Sequence, residues 1–290
     1  MHYDCRHESV RRFRSALAGH SGMNAYREGH AFAVLKSYFD GSGSQKPTAH
    51  RNAVTLAGYV AYDATWADFE DGWWKILRTQ TPSPAYMHMQ EAMQGKKEFS
   101  KIKGWDATKV ASLLQRLIAF MDDAKWHDRI YSVSCTVDTD DHERAKREGY
   151  PVGPVHRICC NLCAGRAFNW QTDVLAKLPP DKIAVVESAE FFFDQNEPFI
   201  RHFTTLWNES RRRKRNRPLW WDLVSGVGPL DMRKHPPLQA ADMLAWATNR
   251  RNGHGDHVAL CRGIMHAIDC SEWSLDYEKL IKPHSSITLE

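Results

Sequence analysis

A chain of 290 residues with 42% hydrophobic and 26% charged residues has the balance of a folded globular protein, and core enough without disulfide staples. A formal net charge of +4 permits a nucleic-acid partner without demanding one, because the distribution of charge matters more than its sum. Seven cysteines, odd in number and unevenly spaced, do not make a disulfide framework and point to a reducing, cytoplasmic compartment. No run approaches the roughly 20 apolar residues of a membrane span, so no membrane partner is expected. Residues 1–30 are polar, carry Arg6, Arg11, Arg12 and Arg14, and lack the apolar stretch of a signal peptide. They read as a mobile arm ahead of one domain over residues 31–290.

The first predicted strand runs from about Ala33 to Asp40 and empties into a Gly-, Ser- and Pro-rich loop, Gly41 to Arg51. The second covers about Asn52 to Tyr62, with Val54, Leu56, Gly58 and Val60 alternating against Thr55, Ala57 and Tyr59. The short connector makes the pair antiparallel. Trp66, Phe69, Trp73 and Leu77 fall at helical spacing, for a core or an interface. Pro82 and Pro84 break that helix, and Tyr86-Met87-His88-Met89 is extended or a helix start. A helix capped by Asp106 follows to Asp122, then a strand from Ile130 to Val137. Asp140 to Tyr150 is charged, a loop or a short helix. Val155 to Leu175 reads as a helix stopped by Pro179-Pro180. A strand from Ile183 leads through Phe191-Phe192-Phe193 to Asp194, with a helix from Glu197 to Arg213. Trp220 to Val224 reads as a further strand. Pro236-Pro237 opens a helix over Leu238–Asn249, and a last helix covers about His257 to Ile268. Strands interleaved with helices, with no internal repeat, describe one α/β domain with insertions.

Three acids stand out. Asp40 and Asp194 end strands, and Asp242 interrupts the apolar helix Leu238-Gln239-Ala240-Ala241-Asp242-Met243-Leu244. Carboxylates delivered from separate elements are what Mg²⁺ or Mn²⁺ requires, and two such ions about 4 Å apart serve phosphodiester cleavage. A carboxylate buried on that last helix needs a partner or a metal. The bland alternatives are an Asx-turn for Asp40, a helix cap for Asp194, and an ion pair of Asp242 with Arg250 or Arg251.

Arg211, Arg212, Arg213, Lys214, Arg215 and Arg217 form a dense cationic run. It suits phosphate neutralisation, giving salt-sensitive binding of RNA or DNA, or else is a solvated loop. Trp220 and Trp221 beside it suit base stacking or a buried strand. Cys159, Cys160 and Cys163 near His156 invite zinc, but no second Cys-x-x-Cys completes four ligands. On one helix face they suit small buried apolar side chains.

The Asp-x-Ser-Gly after the first strand, His88 in Tyr-Met-His-Met, the strand-end Asp194 and Leu-Gln-Ala-Ala-Asp-Met-Leu-Ala together resemble the DUF3800 family of bacterial proteins. The resemblance covers about Val34 to Asn249. It implies an RNase H-like mixed sheet flanked by helices, with helical insertions. It also implies Asp40, Asp194 and Asp242 as metal-site acids, with His88, Gln239 and Ser42 as polar helpers around them. The family reads Asp-Glu-Ser-Gly where this chain has Gly41, removing one potential ligand. In such a fold the strand Ile130–Val137 is expected beside the first strand, making Asp138 a fourth candidate ligand, with Glu91 and Glu187 behind it. The implied function is a Mg²⁺- or Mn²⁺-dependent nuclease or phosphoryl-transfer enzyme on nucleic-acid phosphodiesters. The alternatives are a non-catalytic RNase H-like module that binds nucleic acid or protein, and a zinc- or thiol-dependent enzyme.

Overall fold

A computed structural model describes residues 32–43, 52–177, 185–195, 197–212, 219–254, 257–268 and 270–282. The expected N-terminal arm lies outside these described residues. The chain is α/β, built on a six-stranded mixed sheet. β1 (Phe32–Ser42) and β2 (Ala53–Tyr62) pair antiparallel, as their short connector requires. β3 (Ile130–Asp138) pairs antiparallel with β2. β4 (Val185–Asp194) returns parallel to β1, and β5 (Val224–Leu230) is parallel to β4. β6 (Cys270–Leu275) adds to β3, giving the order β5-β4-β1-β2-β3-β6. The expectation that Ile130–Val137 lies beside the first strand is therefore corrected. β2 stands between them, because the meander pairs each strand with its predecessor.

The period-two pattern of β2 sorts its side chains as its sequence dictates. Val54, Leu56 and Val60 enter one core, and Ala57, Tyr59 and Ala61 enter the other. The first face carries α5 (Val155–Lys177) and α6 (Pro198–Arg212), through Cys159, Cys163, Phe199 and Phe203. The second carries α1 (Asp63–Arg78), α3 (Ala107–Met121), α7 (Pro236–Asn249) and α8 (Val258–Ala267). Trp66, Phe69 and Trp73 of α1 pack edge-on and stacked within that core rather than at an interface.

Local chemistry fixes the element ends. Asp106 caps α3 by accepting the Lys109 N–H at 2.8 Å. The charged stretch after β3 is α4 (Thr139–Arg147). His88 precedes the short α2 (Met89–Gln94), which ends at Gly95 in the left-handed region. Trp221 and Asp222 lie in a 3₁₀ turn rather than a strand, and the strand starts at Val224. Its Gly226, Gly228 and Pro229 hide it from propensity, and as the edge strand it tolerates Pro. The sequence pattern also passed over β6 and α9 (Tyr277–Ile281). Among the described residues, no helix is long and apolar enough to cross a membrane.

Candidate functional site

Parallel pairing sets the first two acids side by side. Phe39 is in register with Phe193, so Asp40 and Asp194 follow at the same level on adjacent strands, which lie about 4.8 Å apart. Tyr38 and Phe192, two residues earlier on the two strands, pack on the α7 face, so by the strand period both acids face α7. α7 runs across β1 and β2 and is buried along its whole length. Asp242, in its middle, therefore meets the strand ends from above, close enough to Asp40 for the two carboxyls to act on one another.

Two carboxyls in contact cannot both stay ionised in a dry site. Burial first, then the charges of Asp242, Glu197 and Asp194, push Asp40 well above the usual carboxylate range. Burial likewise raises Asp242, opposed by His88 and by the Met89 N–H. That N–H reaches Oδ2 of Asp242 at 2.6 Å, and Nδ1 of His88 stands 4.0 Å from the same oxygen. Asp194 takes the Met232 N–H at 3.1 Å, which leaves its second oxygen for another partner. The ion pair of Asp242 with Arg250 or Arg251 is not formed, since Arg250 lies over the Trp246 ring and Arg251 pairs with Glu272.

Glu197 is a fourth acid that sequence reasoning read only as a helix start. It lies three residues after Asp194 and immediately before α6. Burial, then Asp194 and Asp242, push it up to about 7. The spacing Asp194-Gln195-Asn196-Glu197 was the available signal. Arg233 was also missed. It is exposed, bound to Asp231 at 2.8 Å, and close enough to feel the charge of Asp194.

The other expected residues take different places. Asp138 is not brought to Asp40. Asp40 is opposite Ala57 and thus level with Ser134, four residues short of Asp138 and two strands away. Asp138 instead caps α4, accepting from the N–H groups of Asp140 and Asp141. Glu91 is held low despite its burial by hydrogen bonds from Lys97 and Tyr86. Gln239 is fully buried and makes three hydrogen bonds. Its Oε1 accepts from Trp73 Nε1 and Met87 N, and its Nε2 donates to the Met232 carbonyl, each at 2.9 Å. It braces the His88 and Met232 segments rather than facing the acids. The Ser42 carbonyl accepts from Asn249 Nδ2 at 3.5 Å, so this residue ties the strand end to α7.

The Glu187 side chain, residues Arg213 to Arg217 and the Trp220 side chain lie outside the described residues. Arg211 and Arg212 are exposed at the end of α6, with Arg211 over the Trp207 ring. Cys159, Cys160 and Cys163 are fully packed, their thiols against the carbonyls of Val54, Phe199 and Leu56. Burial pushes the Cys160 and Cys163 thiols well up, the state of inert core cysteines.

Among the described residues, no three His, Cys, Asp or Glu side chains already converge as a ready metal site. The donor set nevertheless fits a hard cation. Asp40, Asp194, Asp242 and Glu197 carry carboxylate oxygens, the donor type such an ion takes, and Glu197 Oε2 and His88 Nδ1 are buried without a hydrogen-bond partner among the described residues. No protein-family model, no curated protein and no solved structure matches this chain.

Proposed function

We propose that this chain is a Mg²⁺- or Mn²⁺-dependent nuclease or phosphoryl-transfer enzyme with an RNase H-like sheet, acting on nucleic-acid phosphodiesters. One observation carries the reading: Asp40, Asp194 and Asp242 come from two parallel strand ends and a buried helix to within reach of one another's charge, with His88 4.0 Å from Asp242 and the Asp231-bound Arg233 as the basic groups beside them. The antiparallel β1-β2-β3 meander, continued by β4 and β5 parallel to β1, supports the RNase H-like reading. Asp40, Asp194 and Asp242 would hold the ion. When bound, it would supply Lewis acidity at the phosphoryl oxygen and a lowered pKa for the attacking water.

The chain's own residues do the rest. Met89 N–H and Met232 N–H fix the Asp242 and Asp194 carboxylates at 2.6 and 3.1 Å, so the acids are aimed before a cation arrives. His88, beside Asp242 and a quarter exposed, is placed to relay a proton between solvent and the site. Arg233 and the exposed Arg211 and Arg212 supply charge for the phosphate backbone.

The test is cleavage of single- and double-stranded RNA and DNA with Mn²⁺ or Mg²⁺ against EDTA, run beside Asp242→Asn. Metal-dependent cutting lost in the variant is expected. Binding that weakens with salt, ignores EDTA and never cuts would replace the enzyme with a nucleic-acid-binding module.

A further inference from the structure

Between α2 and α3 the chain makes a tight excursion from Gly95 to Trp105, built on two 3₁₀ turns, Lys97–Phe99 and Lys101–Lys103. Its roots are buried. Phe99 and Trp105 enter the core beneath α1 and pack edge-on at 4.9 Å. The Lys103 and Trp105 N–H groups both reach the Ser100 carbonyl, and the Gly104 N–H closes on the Lys101 carbonyl at 2.9 Å. Gly95 and Gly104 turn the chain in the left-handed region, and Lys97 holds φ at 45°, which a residue with a side chain adopts only under constraint. This fixed base carries Ile102 at its tip, 98% exposed. A single exposed apolar side chain is ordinary on a protein surface. Here it is held out by a braced turn and flanked on both sides by exposed lysines.

Lys96, Lys97, Lys101 and Lys103 are all exposed. Lys97 pairs with Glu91 and Lys103 with Glu98, while Lys96 and Lys101 have no acidic partner among the described residues. The tip therefore presents an apolar side chain with uncompensated positive charge, the complement of a polyanion.

The turn is also tied to the acidic site. Glu98 accepts the Ala85 N–H at 3.0 Å, just before the His88 segment. Glu91 takes the Tyr86 hydroxyl and Lys97 Nζ, each at 2.8 Å, and feels the charge of His88. Arg233 lies within electrostatic reach of both Tyr86 and Asp194. A line of basic and polar groups thus leads from Asp194 through Arg233, Tyr86 and Lys97 to the tip. That continuity favours a nucleic-acid strand over an anionic membrane. A strand with one phosphodiester at the acids extends along the line, whereas one isoleucine adds little hold on a bilayer. Apolar wedges enter between bases while neighbouring cations take the phosphates.

We propose that the turn over residues 96–103 is a nucleic-acid-binding element, with Ile102 packing against bases and Lys96 and Lys101 neutralising phosphates of a strand that continues to Asp194 and His88. This rests on the nucleic-acid reading above and not on its metal.

Fluorescence anisotropy tests it, with labelled DNA and RNA oligonucleotides, single- and double-stranded, titrated with the full chain in EDTA so that binding is read without cleavage. Ile102→Ser is expected to weaken binding at least about fivefold at fixed salt and to keep the wild-type salt dependence. Lys96→Gln combined with Lys101→Gln is expected to weaken binding and to flatten the slope of log affinity against log salt by about 1–2. These side chains are exposed, so the melting temperature should not move. Wild-type affinity and slope in both variants, while the wild type binds nucleic acid, overturn the proposal and leave the nuclease reading standing. Failure of the wild type to bind any oligonucleotide overturns both. Phosphatidylserine vesicles form the second arm. Vesicle binding lost in Ile102→Ser, with oligonucleotide binding unchanged, overturns the proposal in favour of a membrane surface.

Discussion

Trp73 donates its indole N–H to Oε1 of Gln239 at 2.9 Å, inside the core and across 166 positions of sequence. The same oxygen takes the Met87 N–H, and the amide nitrogen of Gln239 reaches the Met232 carbonyl. One buried side chain thus ties α1, the segment before His88 and the segment that binds Asp194. The acids are presented by a scaffold whose rigidity is concentrated in an uncharged residue behind them.

Gln239→Ala would leave two buried groups unpaired, the Trp73 indole N–H and the Met87 N–H, while the Met232 carbonyl keeps the His235 N–H at 3.2 Å. Each such group costs about 1–3 kcal/mol. Denaturant unfolding is expected to show a loss of at least about 2 kcal/mol, with weakened metal affinity. A loss under about 1 kcal/mol would mean that the brace is dispensable.

Asp40→Asn removes a negative charge from a buried acid cluster while keeping its shape. The metal-free protein should be as stable as the wild type or more so, because the variant relieves both desolvation and repulsion. Its stabilisation by Mn²⁺ should vanish. Thermal melts with and without the ion measure both effects, and a normal Mn²⁺ shift would remove Asp40 from the site.

Stability should depend on pH in an unusual direction. Asp40, Asp242 and Glu197 all titrate higher in the fold than in the unfolded chain, Glu197 at about 7. The folded state therefore binds more protons across that window. Their contribution is fully present below the unfolded carboxylate range near pH ~4 and is lost as pH rises through the folded values, to about 7 for Glu197. Melting temperature without metal should fall as pH rises from about 5 to 8, against the usual acid lability of proteins, and divalent metal should offset the fall most at the higher pH. Melting curves over that range that rise with pH, with or without EDTA, would contradict the placement of these groups.

Asp138→Ala separates a cap from a ligand. Loss of the side chain that accepts the Asp140 and Asp141 N–H groups should cost about 1 kcal/mol and leave Mn²⁺ affinity unchanged. A fall in affinity comparable to that of Asp242→Asn would return Asp138 to the site.

The sequence by itself determined the elements whose chemistry is local. Alternation in Val54–Tyr62, the 3.6-residue apolar spacing of α1 and α3, and the cap at Asp106 all follow from neighbours a few positions apart. It also singled out Asp40, Asp194 and Asp242 by their positions at strand ends and inside an apolar helix. Only the tertiary structure decided how they are arranged. Strand order put β2 between β1 and β3 and left Asp138 four residues beyond the level of Asp40. Non-local packing put Glu197 into the volume vacated by Gly41 and made Gln239 a brace for the Met87 and Met232 segments. β5 and β6 escaped the pattern because an edge strand rich in glycine and proline, and a short polar strand, owe their conformation to the neighbour they pair with and not to their own propensity. Spacing along the chain reports period and turn, while register and occupied volume depend on contacts between residues far apart in sequence.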